Sequence, residues 1–176
     1  MKIQRGYIIE FKRTGLTSAI LGSLLKLFER SWDGWGWHLA IAWEQAYDGW
    51  NILEATEDGV EINYYSDKYL DENTRAYQWL TKVPSRKAMG EFLKSHINKK
   101  YDVAIYFWTA LAIIIRHYFN HPIPKLLDDR FDCWELSAEF FAEVGEPIQS
   151  KYDVIIITDI IKALKGRRGG VIRPNR

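Results

Sequence analysis

Along the first half of the chain, apolar positions fall into short runs separated by polar links. Residues 6–12 are rich in Tyr, Ile and Phe and fit a buried strand. Residues 38–43 and 50–55 read as two more strands, and the polar link 44–49 between them predicts a hairpin. A fourth extended piece covers 59–65, where Val60, Ile62 and Tyr64 alternate with polar residues, and a fifth covers 77–83. Helical spacing appears between and after these runs. Leu16, Ile20, Leu21, Leu24, Leu25 and Phe28 recur at intervals of three and four and mark one apolar helix face. Pro84-Ser85 opens a helix running through Ile97, on which Met89, Phe92, Leu93 and Ile97 share a side. The apolar piece 101–119 reads as a buried helix, broken by Asn120-His121-Pro122-Ile123-Pro124. A further helix covers 133–144 and closes at Gly145. Residues 153–164 join an apolar run to a terminal helical turn.

This order predicts an α+β fold with a small antiparallel sheet packed against helices. A length of 176 residues suits one domain, assigned here to 1–165, and the basic, Gly-rich segment 166–176 is expected to be a mobile tail. Apolar residues make up 47% of the chain, enough for a sizeable core. The 24 basic and 23 acidic side chains nearly cancel, which argues against a nucleic-acid partner. The longest uncharged apolar stretch, 103–115, is shorter than the ~20 residues of a membrane span. No transmembrane span is expected, and peripheral membrane contact stays open. The opening residues lack the apolar core and cleavage site of a signal peptide, so synthesis in the cytoplasm is expected, with the final site left open. Phosphate-loop and dinucleotide motifs are absent, and one cysteine with four scattered histidines matches no usual metal-ligand spacing. No cofactor is expected.

Candidate chemistry centres on the lone cysteine. By default such a residue is a small buried hydrophobe. Its setting points elsewhere. Asp132, followed three residues on by Glu135, resembles a capping box and puts Cys133 in the first turn of a helix. Free amides and the helix dipole there stabilise a thiolate, and the same amides suit an oxyanion. Asp132 opposes this, because a neighbouring negative charge raises a thiol pKa. Of the four histidines, His96 and His117 lie on predicted helices among charged neighbours, and His121 sits in a proline turn. His38 opens an apolar strand after a Gly-Trp loop, where a side chain can point into a cleft. Glu54, between Leu53 and Ala55 in the next strand, is a carboxylate that needs a partner. A five-residue loop over 44–48 sets His38 directly opposite Glu54. A two-residue turn at Asp48-Gly49 sets them on opposite faces.

With histidine at a strand start, glutamate on the next strand and cysteine at a late helix start, the chain resembles the circularly permuted NlpC-type, papain-like proteins, the YiiX-like family. Similar segments are Gly6-Tyr7-Ile8-Ile9-Glu10-Phe11, Trp37-His38-Leu39-Ala40-Ile41, Ile52-Leu53-Glu54-Ala55 with Gly59-Val60, Lys100-Tyr101-Asp102, and Cys133-Trp134-Glu135-Leu136 with Gly145. The resemblance implies a permuted papain-like fold and a thiol hydrolase, an amidase or peptidase, with Cys133 as nucleophile, His38 as base and Glu54 as orienting acid. Implied substrates are peptides, muropeptides or lipid amides. Trp134 departs from the small residue usual after the cysteine, and the apolar segment 103–119 is longer than expected. Two other functions stay open. One is a lipid-directed acyltransferase or phospholipase, suggested by the apolar segment and the basic tail. The other is a non-enzymatic structural or binding module, such as a phage protein, with Trp32, Trp35, Trp37, Trp43 and Trp50 lining a groove.

Overall fold

The computed structural model describes residues 2–12, 22–23, 26–27, 35–78, 80–100, 111, 114–115, 118–119, 132–148, 157–166 and 171–172. Six strands form one antiparallel sheet: β1 (Ile8–Lys12), β2 (Gly36–Gln45), β3 (Gly49–Thr56), β4 (Gly59–Ser66), β5 (Thr74–Tyr77) and β6 (Val171–Ile172). Their spatial order is β4-β3-β2-β1-β5-β6. Four helices are described: α1 (Asp67–Asn73), α2 (Arg86–His96), α3 (Cys133–Glu143) and α4 (Ile157–Gly166). The α+β class with an antiparallel sheet is therefore as the pattern predicts.

Strand alternation sorts the side chains onto two faces. Ile8, Trp37, Leu39, Ile41, Leu53 and Tyr77 point to one face, where they join Met89 and Phe92 of α2, Leu136, Phe140 and Phe141 of α3, and Ile160 and Leu164 of α4. Ile9, Phe11, Ala40, Ala42, Trp50, Ile52 and Ala76 point to the other, closed by Ile3, Tyr7 and Leu70 of α1. The central strands are thus buried on both sides, which is why β2 reads as a nearly continuous apolar run. The described tryptophans of the expected groove do not share one face, and Trp32 lies outside the described residues. Trp37 lies on the helix side and Trp50 on the other, and Trp35 sits against the Arg75 guanidinium, 4.1 Å from its carbon to the ring centroid.

Two glycines permit close approaches. Gly59, at φ 119°, turns β3 into β4, and a Cβ there would lie 2.6 Å from the Lys99 carbonyl oxygen. A Cβ on Gly36 would lie 2.3 Å from Glu10 Cγ. That space lets the buried Glu10 carboxylate accept from the Tyr77 hydroxyl at 2.5 Å.

Several boundaries differ from the predicted ones. The strand expected over 77–83 instead covers Thr74–Tyr77. Beyond it, the Thr81 amide donates to Glu146 Oε1 at 2.8 Å, so it serves a side chain and no ladder. Helix α1 went unpredicted. It is seven residues long, buries only Leu70, and is capped by Ser66, whose Oγ accepts from the Tyr69 amide. The terminal turn near 164 is a ten-residue helix. Within 166–176, Val171 and Ile172 pair with Tyr77 and Ala76 as an edge strand. Most of the apolar helix expected over 16–28 and nearly all of 101–119 lie outside the described residues. Among the described residues, no helix is long and apolar enough to cross a membrane.

Candidate functional site

The hairpin between β2 and β3 decides whether His38 and Glu54 can meet. Its turn is tight: the Ala46 amide donates to the Gly49 carbonyl at 2.9 Å, leaving Tyr47 and Asp48 at the tip. Neither predicted loop forms. Continued without interruption, this pairing would set Glu54 opposite Ile41 and send His38 to the other face. The ladder instead shifts between Ala42 and Glu44, so that Trp43 is an extra, bulged residue. Glu54 then pairs with Ala40, and His38, two residues away, shares its face. The two side chains meet on the diagonal, with His38 Nε2 2.6 Å from Glu54 Oε2.

Glu54 is 2% exposed and fully engaged. Its Oε1 accepts from the Tyr65 hydroxyl at 2.8 Å and from Asn63 Nδ2 at 3.0 Å, both on β4. Burial pushes its pKa up. The hydrogen bond and charge of His38, with the Asn63 and Tyr65 donors, outweigh that and hold it below its ordinary value. An ionised carboxylate only accepts, so His38 Nε2 carries the hydrogen and Nδ1 is left as the basic nitrogen. Among the described residues Nδ1 has no hydrogen bond. The imidazole is 27% exposed and lies against Phe11, ring centroids 5.5 Å apart.

Cys133 is the first residue of α3, as the capping pattern predicts. Its thiol belongs to the helix-side cluster with Leu39, whereas His38 and Glu54 lie on the opposite face of the sheet with Phe11 and Ala40. The β3 ladder begins only at Ala40, and the amide of Leu39, next to His38, faces the sulfur. The thiol is 3% exposed, and no hydrogen bond joins it to the His38 ring among the described residues. Burial, then the charge of Asp132, raise its pKa well above the usual value. The Leu39 and Cys133 amides lower it by less, and the Glu54 charge adds a small further rise. The expected thiolate at rest is therefore not what this environment favours.

The cap explains part of that difference. Asp132 Oδ1 accepts from the Trp134 amide at 2.6 Å and the Glu135 amide at 2.7 Å. Two of the amides expected to hold an oxyanion are thus occupied by the capping carboxylate, leaving the Cys133 amide for that role. Trp134 is buried, its indole edge meets Trp37 at 4.9 Å between centroids, and its Nε1 donates to the Trp37 carbonyl at 3.1 Å.

His96 is buried. Its Nδ1 lies 2.8 Å from the Phe92 carbonyl oxygen, and its Nε2 lies 3.0 Å from Glu139 on α3, tying α2 to the cysteine helix. His117 and His121 lie outside the described residues. Tyr65 and Asn63 were missed in the sequence. Their signal is the alternation of β4, which puts Glu61, Asn63 and Tyr65 on the Glu54 side. Among the described residues no group of His, Cys, Asp and Glu could hold a metal ion. No protein-family model matches the sequence, and no curated protein matches it.

Proposed function

We propose that the protein is a thiol hydrolase of permuted papain-like type that cleaves amide bonds through Cys133, His38 and Glu54. The observation that carries this reading is the preformed His38–Glu54 pair at 2.6 Å, with Nδ1 without a hydrogen bond among the described residues and a helix-start thiol facing the next residue's amide. Burial and Asp132 keep the resting thiol protonated, so deprotonation belongs to the attack step. His38 Nδ1 takes the thiol proton as sulfur bonds to the substrate carbonyl carbon, and the oxyanion is held by the Cys133 amide. The C–N bond then breaks, and the amine leaves with the proton from His38. Water, deprotonated by the same nitrogen, hydrolyses the thioester and restores the thiol. Glu54 stays ionised throughout and balances the imidazolium. Peptides and muropeptides are the proposed substrate class.

A second reading, a non-enzymatic binding module, is favoured by the 3% exposure of Cys133 and by its raised pKa. The lipid-directed alternative draws on the exposed Leu111, Tyr118 and Phe119 in the apolar segment. Intact-mass analysis with activated esters, peptide amides and lipid amides separates the three. A thiol hydrolase gains one acyl group on Cys133 that turns over, and the Cys133→Ser variant forms no thioester. Acylation from lipid amides alone favours the lipid-directed reading. No adduct on the folded protein favours the binding module.

A further inference from the structure

We propose that Tyr65 is a positioning residue of this site: with Asn63, its hydroxyl holds Glu54 turned so that Oε2 faces His38. The inference rests on the hydrolase reading for its catalytic consequence and on geometry for the positioning itself. A glutamate side chain has three rotatable bonds, and one hydrogen bond to a partly exposed imidazole does not fix it. Glu54 is fixed from behind. Both donors from β4 converge on Oε1, at 2.8 Å from Tyr65 and 3.0 Å from Asn63, and among the described residues Oε2 serves His38 alone.

Each donor is itself held. The Tyr65 ring lies between Phe11, 5.1 Å away and tilted, and Tyr69, 5.3 Å away and stacked. Burial and the neighbouring Glu54 keep its hydroxyl protonated, so it remains a donor across the physiological range. Asn63 uses Nδ2 twice, on Glu54 Oε1 and at 2.9 Å on Glu61 Oε1, and Glu61 also accepts from Thr56 Oγ1 at 2.8 Å. The amide thus stands between two carboxylates whose repulsion would otherwise favour protonating one of them. The titratable groups around Glu54 are His38 from β2, Glu61 and Tyr65 from β4, and the Cys133 thiol from α3, with Tyr69 of α1 acting on Tyr65. Losing either donor therefore raises the pH at which Glu54 takes up a proton and releases His38.

The test uses the full chain with Tyr65→Phe, which keeps the ring, and Asn63→Ser as a second route to the same loss. Tyr69→Phe, which keeps the stack, is the control. Proton NMR follows the downfield Nε2–H resonance of His38, and iodoacetamide follows Cys133, both across pH. Tyr65→Phe should move the acid-side loss of both signals up by about one pH unit, about a tenfold fall in rate on that side. Asn63→Ser should move them the same way, and Tyr69→Phe should not. Profiles of Tyr65→Phe and Asn63→Ser that superimpose on wild type would overturn the proposal. If Cys133 is inert even in the wild type, the hydrolase reading fails, and the NMR resonance alone decides whether Tyr65 positions Glu54.

Discussion

Replacing Glu54 by Gln removes one charge and leaves the shape nearly unchanged. Three donors converge on this carboxylate, at 2.6, 2.8 and 3.0 Å, and an amide offers them only one oxygen. Kept toward Tyr65 and Asn63, the Gln oxygen preserves two bonds, and the new NH2 faces His38 Nε2. That nitrogen must then accept, so the imidazole hydrogen moves to Nδ1, and the proposed base loses its lone pair. The opposite rotamer sets the NH2 of Gln against that of Asn63, so the first is preferred. Exchanging three charge-assisted bonds for neutral ones costs about 1 kcal/mol each, partly offset because no charge is then buried, for a net loss of roughly 1–2 kcal/mol. For a chain of this size that lowers Tm by about 2–8 °C. The proposed hydrolysis should fall far more, by about 10⁴-fold, the scale seen when a triad carboxylate becomes an amide and the histidine takes the wrong tautomer. The pH dependence has a definite sign. Glu54 is held below its ordinary pKa, so its stabilisation is complete above the unfolded value of about 4.3 and is lost as pH falls through the lower folded value. Denaturant titration should therefore show a wild-type advantage at pH 7 that shrinks by pH 3, and long-range ¹H–¹⁵N spectra should show the tautomer change. Equal stability at pH 7 and an unchanged Nε2–H tautomer in Glu54→Gln would refute this account of the pair.

Other substitutions test the parts separately. Asp132→Asn keeps a capping oxygen and removes the charge beside the thiol, so alkylation of Cys133 at neutral pH should speed up severalfold while stability changes by about 1 kcal/mol or less. Trp134→Ser, which installs the small residue expected after the cysteine, should cost about 3–5 kcal/mol in denaturant titration, because that indole fills the core beside Trp37. Gly36→Ala should lower stability by about 1–3 kcal/mol, since its Cβ meets Glu10 Cγ. A thermal melt unchanged in that variant would show that Glu10 moves aside freely.

Much of the architecture was legible because β2, β3 and α2 carry strong, simple patterns. Short runs with turn residues between them give strands, and Met89 and Phe92 give a helix face. Helix α1 escaped because seven residues with one buried side chain leave no periodic trace. The strand after Asn73 was misplaced because Leu80 is buried without belonging to a strand, its neighbour Thr81 being held by Glu146. Within the site, residue types and order pointed to His38 and Glu54, but their shared face depends on the bulge at Trp43. A bulge adds one residue to one strand and shifts its alternation, but β2 is buried on both faces and shows no alternation to break, so neither counted register contained it. The local charge balance at Cys133 was half legible. Asp132 was visible as an opposing charge, but its occupation of the Trp134 and Glu135 amides follows only from the folded cap.

The central claim is that Cys133 is a nucleophile served by His38. Its most direct test is the rate of iodoacetamide modification of the folded protein across pH, in wild type and His38→Ala, with the unfolded chain as reference. Because Cys133 is the one cysteine, every adduct reports on it. The account predicts modification of the folded wild type that falls about tenfold or more in His38→Ala near neutral pH, while the two unfolded chains react alike. A thiol inert in both folded proteins and reactive only on unfolding would contradict it, and would make Cys133 a packed core residue of a binding module.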